Sequence, residues 1–153
     1  LNDLTFVCRQ IEGAYPPYKN VIPLSWNKEL VIDRSSLISA VRHIEPFADQ
    51  SNKGVLFSVA ENLISVSAQD LEFKTAASED VVCAYSGSPF EMTFKTESIT
   101  NFCSYMETNE VVMKIESEVR GVVVEPLFSA SDDEDAKQNY EMLCLVMPMK
   151  SMA

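Results

Sequence analysis

The chain has 153 residues, which favours a single domain, and 23 acidic against 12 basic residues give it a net charge of −11. An apolar share of 46% is enough to bury a core and excludes wholesale disorder, while only four glycines exclude collagen-like and low-complexity classes. The acidity argues against tight DNA binding by the whole surface, and no apolar run reaches the roughly 18 residues of a membrane helix.

Residues 1–23 come first and have no counterpart elsewhere in the sequence. Residues 4–11 alternate between apolar and polar as a strand does, and Gly13 and Pro17 interrupt the pattern. We therefore expect residues 1–23 to be the last strand of a preceding domain plus a linker, and residues 24–153 to be the C-terminal domain of a longer protein. No basic region followed by an apolar stretch opens the sequence, so we expect no signal peptide.

The rest of the chain is an internal duplication, with pseudo-repeats at residues 29–89 and 91–149. Each copy opens with a short alternating stretch and then places apolar residues at i, i+3, i+4 and i+7, which is typical of a half-buried helix. The apolar residues are Leu37, Ala40, Val41 and Ile44 in the first copy, and Ile99, Phe102, Cys103 and Met106 in the second, 62 residues on. Asp33 or Ser35 is predicted to cap the first helix and Thr96 the second.

Three more strands are predicted in each copy. They span residues 55–59, 63–66 and 81–85 in the first copy, and 111–115, 119–124 and 143–147 in the second. The first copy carries six extra residues after its helix, and residues 129–135 form an acidic loop in the second. The predicted fold class is therefore α+β, a duplicated β-α-β-β-β unit with both helices packed on one face of an antiparallel sheet.

Four cysteines, Cys8, Cys83, Cys103 and Cys144, are scattered through apolar stretches without a CxxC motif. This spacing favours buried free thiols in a reducing compartment rather than a zinc site. We expect no metal and no cofactor.

Two end motifs resemble one known family. The sequence Ile-Glu-Gly-Ala-Tyr-Pro-Pro-Tyr at residues 11–18 is similar to the junction between the second and third domains of the bacterial sliding clamp, the beta subunit of DNA polymerase III. Leu-Val-Met-Pro-Met-Lys at residues 145–150 resembles the C-terminal signature of that family. Asp33-Arg34, Tyr85-Ser86-Gly87 and Phe94 fall between these motifs in matching order.

The resemblance implies the DNA-clamp fold and a processivity factor without enzymatic activity. Members of the family form a head-to-tail dimeric ring that encircles duplex DNA without reading its sequence, and any polymerase activity belongs to the holoenzyme. The ring tethers the polymerase and clamp-loader subunits, which bind it through short apolar-aromatic peptide motifs. A cytoplasmic location and no membrane contact are also implied.

A partner-peptide groove is implied near the chain end. The positions that match it are Pro16, Asn20, Val21, Lys95, Ser98, Val122, Leu145, Val146, Met147, Pro148 and Met149. Leu145, Val146 and Met147 are alternatively ordinary strand core. Lys95 and Ser98 stand where the family often has an amide and a tyrosine, so we expect a remodelled rim.

DNA-facing residues are expected on the polar sides of the two helices. Arg34, Arg42 and His43 are the candidates on the first helix, and Lys95, Asn101, Ser104 and Tyr105 on the second. The alternative is an ordinary solvated face. His43 is the sole histidine and corresponds to Tyr105 in the second copy, so a catalytic role is not expected.

The ring interface is expected at Pro46, Phe47, Glu79 and Asp80. Because the ring needs the first domain of another chain, we expect this chain alone to be a monomer that binds partner peptides far more weakly than the full-length protein. A different reading stays open, in which the chain is a stand-alone acidic protein-interaction module that does not bind DNA.

Overall fold

The computed structural model describes residues 5, 7–10, 12–15, 17–129 and 142–150. Eight strands form one antiparallel sheet in the order β5-β2-β3-β4-β1-β6-β7-β8. The strands are β1 Lys28–Asp33, β2 Gly54–Ala60, β3 Leu63–Asp70, β4 Thr75–Ala84, β5 Phe90–Lys95, β6 Glu110–Ile115, β7 Val122–Leu127 and β8 Cys144–Val146. Two helices complete the domain, α1 Arg34–Ile44 and α2 Thr96–Tyr105.

The sheet confirms the duplicated β-α-β-β-β unit. The first strand of each copy pairs with the second strand of the other copy, β1 with β6 and β5 with β2. Strand β1 also joins its own copy where Val31 pairs with Ala84. The corresponding joint in the second copy is a single bridge, in which the Met149 N–H donates to the Thr93 carbonyl at 2.7 Å. This bridge connects the two ends of the curled sheet.

Both helices pack into one shared core, as predicted. The two apolar sets expected from the sequence are buried, Leu37, Ala40, Val41 and Ile44 on α1, and Ile99, Phe102 and Cys103 on α2 with Met106 directly after it. Asp33 caps α1 by accepting the Ser36 N–H at 2.7 Å, so the prediction of a cap is confirmed for Asp33. The Ser35 hydroxyl instead donates to Asp33.

The predicted cap of α2 is wrong. Thr96 is the first residue of the helix, and its buried hydroxyl donates to the Glu45 carboxylate at 3.2 Å. Lys95 occupies the N-cap position and makes no side-chain capping bond. The start of α2 is therefore held by the end of α1, where Glu45 begins a short 3₁₀ turn, Glu45–Phe47.

Strand bounds depart from the prediction in two places. Strands β3 and β4 form a longer hairpin, whose turn is closed by Asp70 accepting the Glu72 and Phe73 N–H groups. Strand β7 begins at Val122, three residues later than predicted, and Val119 is 82% exposed in the turn before it. An Arg120–Glu116 ion pair at 3.0 Å spans that turn.

The N-terminal segment and the acidic loop stay predictions. No strand is found among the described residues before Lys28, and the strand expected at residues 4–11 would need partners from another domain. The acidic loop at residues 129–135 lies, apart from Ser129, outside the described residues. Neither α1 nor α2, nor any other described helix, has the length and hydrophobicity of a membrane span.

Candidate functional site

A groove of roughly 600 Å³ runs between α2 and the C-terminal segment. One wall is formed by the end of β5 and the exposed side of α2, and the other by β8 and the residues that follow it. The lining residues are Lys95, Ser98, Asn101, Phe102, Tyr105, Cys144, Leu145, Val146, Met147, Pro148 and Met149.

The helical wall follows from the period of α2. Ile99, Phe102 and Cys103 turn towards the core, so the residues between them are left on the solvent side. Ser98, Asn101 and Tyr105 recur at the spacing of one helical face and carry polar atoms along the groove. The groove therefore has a polar helical wall above an apolar floor.

The opposite wall is pinned at both ends. Strand β8 pairs with β7 up to Val146, and Met149 is held by its bridge to Thr93. Pro148 has no N–H to donate, so the chain leaves the ladder between these two points. Met147, which is 58% exposed, is thereby presented to solvent on a fixed backbone.

Gly121 leaves room beneath this wall. A Cβ atom at that position would lie 2.8 Å from Leu145 Cδ1 and 3.0 Å from Met147 Sδ. A residue with a side chain at this position would have to displace Leu145 and Met147, both of which line the groove.

Two thiols at or near the groove are unreactive at neutral pH. Burial raises the pKa of Cys103 to about 12 and also raises the pKa of Cys144. Both are therefore protonated at neutral pH and serve as apolar packing rather than as nucleophiles. Cys83 is buried as expected, whereas Cys8 is exposed, and no group of three or more potential metal ligands occurs in the described parts of the chain.

The structure brings together seven of the eleven groove residues named from the sequence: Lys95, Ser98, Leu145, Val146, Met147, Pro148 and Met149. Val122 lies beneath them, fully buried and paired with Val146. Asn20 and Val21 are exposed near the N-terminal end and do not line the groove. Pro16 lies outside the described residues.

The alternative interpretation, in which residues 145–147 are ordinary strand core, fits only part of this segment. Val146 is 5% exposed and belongs to the core, Leu145 is half-buried beside Val123, and Met147 is open to solvent. Asn101, Phe102, Tyr105 and Cys144 line the groove without having been assigned to it from the sequence. The helical spacing from Ser98 to Tyr105 is the signal that would have found three of them.

The three candidate DNA-facing residues on α1 have different surroundings. Arg34 donates from Nε to the Thr108 carbonyl at 2.8 Å and from Nη1 to the Cys103 carbonyl at 2.9 Å. Its guanidinium therefore ties α1 to the end of α2, which accounts for Arg34 structurally. Arg42 is exposed, and His43 Nδ1 lies 2.9 Å from the Glu79 carboxylate on an exposed surface.

The four candidate ring-interface residues lie on two elements in contact. Pro46 and Phe47 are exposed in the 3₁₀ turn, which packs against β4, the strand that carries Glu79 and Asp80. Strand β4 pairs with β3 along residues 75–82, but its other edge pairs with β1 only at Cys83 and Ala84. Among the described residues, the edge that carries Glu79 and Asp80 is therefore unpaired.

A second depression, of about 980 Å³, lies next to the groove and shares Met149 with it. It is broad and spreads over the face of the sheet away from the helices. Its lining includes Leu56, Gln69, Ala76, Ser78 and Thr93.

Residues 19–149 match the family model described as DNA polymerase III beta subunit, C-terminal domain. The chain belongs to this family. The beta sliding clamp of Synechococcus elongatus is 29% identical over 129 residues, which cover 82% of this chain and 34% of the relative. That of Escherichia coli (strain K12) is 24% identical over 131 residues, covering 86% of this chain and 36% of the relative.

Solved sliding clamps share the fold of this clamp domain. One from Bartonella birtlesii, bound to griselimycin, has a TM-score of 0.80 at 18% identity and covers 92% of this chain and 35% of that one. One from Pseudomonas aeruginosa, with a ligand, has a TM-score of 0.79 at 22% identity and covers 92% and 36%. The clamp domain thus spans about a third of the length of the curated relatives it matches.

Proposed function

We propose that this clamp domain is the third domain of a sliding clamp, which surrounds duplex DNA and holds the replicative polymerase on its template. The groove carries the proposal, because a pinned segment rich in methionine faces a helix across a cleft open to solvent. Tethering raises the effective concentration of the polymerase at its template without strong DNA contacts. The relatives are named as clamps rather than as enzymes, and the proposal assigns no reaction to this chain.

The occupant of the groove is a short apolar-aromatic peptide from the polymerase or a clamp-loader subunit. Met147 and Met149 suit this task because flexible thioethers adapt to several ligands. Leu145 and the ring of Pro148 add apolar surface, and Asn101 and Ser98 offer hydrogen bonds to the peptide. The remaining candidates, Pro16, Asn20 and Val21, would meet a peptide only if the preceding segment closes over the groove.

DNA contact through α1 is weak and independent of sequence. Arg42 is exposed, and His43 adds charge only when protonated beside Glu79. Two such residues on a protein with a net charge of −11 would add little to phosphate binding, which suits a ring that must slide.

Ring closure uses the unpaired edge of β4. Pro46 and Phe47 supply the apolar part of the contact, and Glu79 and Asp80 supply its charge. The partner surface belongs to the first domain of another chain, so this clamp domain alone does not close a ring.

A stand-alone interaction module that never meets DNA is the weaker alternative. Membership of the clamp family favours the ring, since the relatives it matches are sliding clamps about two and a half times the length of this chain. The groove would serve peptide binding under either proposal, so the two differ in DNA encirclement alone.

Calorimetric titration of a short apolar-aromatic peptide tests the groove. Met147→Asp should weaken binding about tenfold or more, because a charge would be placed where the peptide excludes water. Leu24→Asp is the matched control, since Leu24 is 94% exposed and lies off the groove. Equal losses in both variants, or no binding by the unaltered chain at millimolar peptide, would contradict the proposal.

A further inference from the structure

Among the residues that the structure describes, Lys95 is the single charged one that lines the groove. No described carboxylate lies within ion-pair distance of it, although the chain carries 23 acidic residues. Lys28, Lys114 and Arg120, by contrast, are each paired with a glutamate. Within the described part of the chain, an exposed lysine without an ion-pair partner therefore forms part of the wall of an otherwise uncharged groove.

The bridge between Thr93 and Met149 brings the end of β5, which carries Lys95, next to the C-terminal segment. Thr93 and Met149 form an antiparallel bridge, Lys95 lies two residues after Thr93 at the end of β5, and Met147 lies two residues before Met149. Lys95 and Met147 both line the groove, so the lysine shares it with the most exposed methionine among the described residues. The methylene stem of the lysine can cover apolar surface while its head stays in water.

The acidic residues around Lys95 lie outside the groove: Glu97 is in the first turn of α2, and Glu45 accepts the hydroxyl of Thr96. Asp49 lines the adjoining depression and not the groove, and its carboxylate accepts the Ser51 and Asn52 N–H groups within its own loop. Lys150 follows Met149 and has no described ion pair either. Lys95 is thus the one charge that the described lining of the groove presents, on a chain with a net charge of −11.

We propose that Lys95 is a specificity-determining residue, which selects partner peptides that carry an aspartate or glutamate beside their apolar anchors. This inference rests on the proposed function of the groove and names the chemistry of its occupant. A peptide with a carboxylate at that point gains an ion pair of complementary charge, whereas one with a lysine meets a like charge. The apolar floor under the cation favours a peptide over a nucleic-acid backbone.

Matched peptides test the inference with the unaltered chain. An aspartate is placed in turn at each polar position of one short apolar-aromatic peptide, and each peptide is paired with its asparagine counterpart. At one position the aspartate peptide should bind roughly two- to fivefold more tightly, the range of a solvent-exposed ion pair. The difference should shrink as sodium chloride rises from about 50 to 500 mM, because salt screens exposed charges.

Variants assign the effect to one side chain. Lys95→Gln should abolish the preference, so that the aspartate and asparagine peptides bind this variant equally. Lys74→Gln, at an exposed turn residue outside the groove, should keep the preference. Lys95→Glu should reverse it, so that a peptide with lysine at the same position binds more tightly than the aspartate peptide.

The outcomes separate the two proposals. Equal binding of aspartate and asparagine peptides at every position, or a preference that survives Lys95→Gln, overturns the role of Lys95 and leaves the groove proposal standing. Failure of every peptide to bind overturns the groove proposal and this inference together. Reversal by Lys95→Glu supports both.

Discussion

Arg34 and Arg42 lie on the same helix and have the same side-chain chemistry, but their surroundings differ. The guanidinium of Arg34 is half-buried and donates to two backbone carbonyls, at Cys103 and Thr108. These carbonyls belong to the last turn of α2 and the loop after it, where helical carbonyls lack partners within the helix. Arg42 is exposed and free to meet a polyanion.

Replacing Arg34 should therefore cost stability, and replacing Arg42 should not. We expect Arg34→Gln to lower the free energy of unfolding by about 1.5–3 kcal/mol, because hydrogen bonds from a charged group are lost and two carbonyls are left unsatisfied. Arg42→Gln should change it by less than about 0.5 kcal/mol. Urea unfolding of both variants measures this, and equal effects would contradict the separation of roles.

At this scale the sequence identifies residue types but not their partners. The sequence marks both arginines as polar residues on one helix, and only the packing of α1 against α2 distinguishes them. The same holds for Thr96, whose hydroxyl meets Glu45 from 51 residues away. Local capping rules do not anticipate such a long-range partner, which explains the wrong prediction at Thr96.

Helix α1 shows how an element depends on one capping residue. Asp33 accepts the Ser36 N–H and the hydroxyls of Ser35 and Ser36. The hydroxyl hydrogen bonds from Ser35 and Ser36 hold the pKa of Asp33 below its ordinary value of 3.8. Because the pKa is lowered by folding, this carboxylate stabilises the folded chain fully above pH 3.8, and its contribution is lost as the pH falls through the lowered pKa.

We expect Asp33→Ala to cost about 1 kcal/mol at pH 7, the usual value of a lost N-cap. Asp33→Asn should keep most of the cap at pH 7, because an amide oxygen still accepts the Ser36 N–H, and should make stability less sensitive to acid below about pH 4. Urea midpoints at pH 7 and pH 3 measure both effects. An unchanged acid sensitivity in Asp33→Asn would show that other carboxylates govern it.

The sequence predicts an element best when the apolar residues of that element are large. Strands rich in valine and both helices were placed from their periodicity, since large side chains must face the core. The hairpin of β3 and β4 extends beyond the predicted strands because its far half consists of Ala, Ser, Gln, Thr and Asp, whose pairing is settled by cross-strand contacts. Val119 shows that an apolar residue need not belong to a strand, since it lies exposed to solvent in the turn before β7.

The domain consists of two similar units in one sheet, and the first strand of each unit pairs with the second strand of the other. This symmetry leaves two distinct sites. In the first copy the edge of β4 is open beyond its short pairing with β1, and in the second copy the corresponding joint is the bridge at Met149. The first is the proposed ring edge and the second forms one wall of the groove. Duplication thus explains why the domain offers two surfaces at comparable places in its two halves.

The isolated chain should be a monomer. An open strand edge is a site for pairing, but its proposed complement belongs to the first domain of another chain. Light scattering coupled to size exclusion should give a mass near 17.1 kDa at micromolar concentration. A stable species of several copies would contradict the proposed ring edge, and substitution of Phe47 by aspartate would then show whether that edge is responsible.

Peptide binding between α2 and the C-terminal segment is the central claim. The most direct test is a nitrogen-15 chemical-shift map of the chain titrated with an apolar-aromatic peptide. We expect the largest amide shifts at Lys95, Ser98, Asn101, Tyr105 and Met147, with the sheet around Leu56 and Ala76 unmoved. Shifts centred on the broad depression near Ala76 or on the edge of β4, with the groove silent, would contradict the claim.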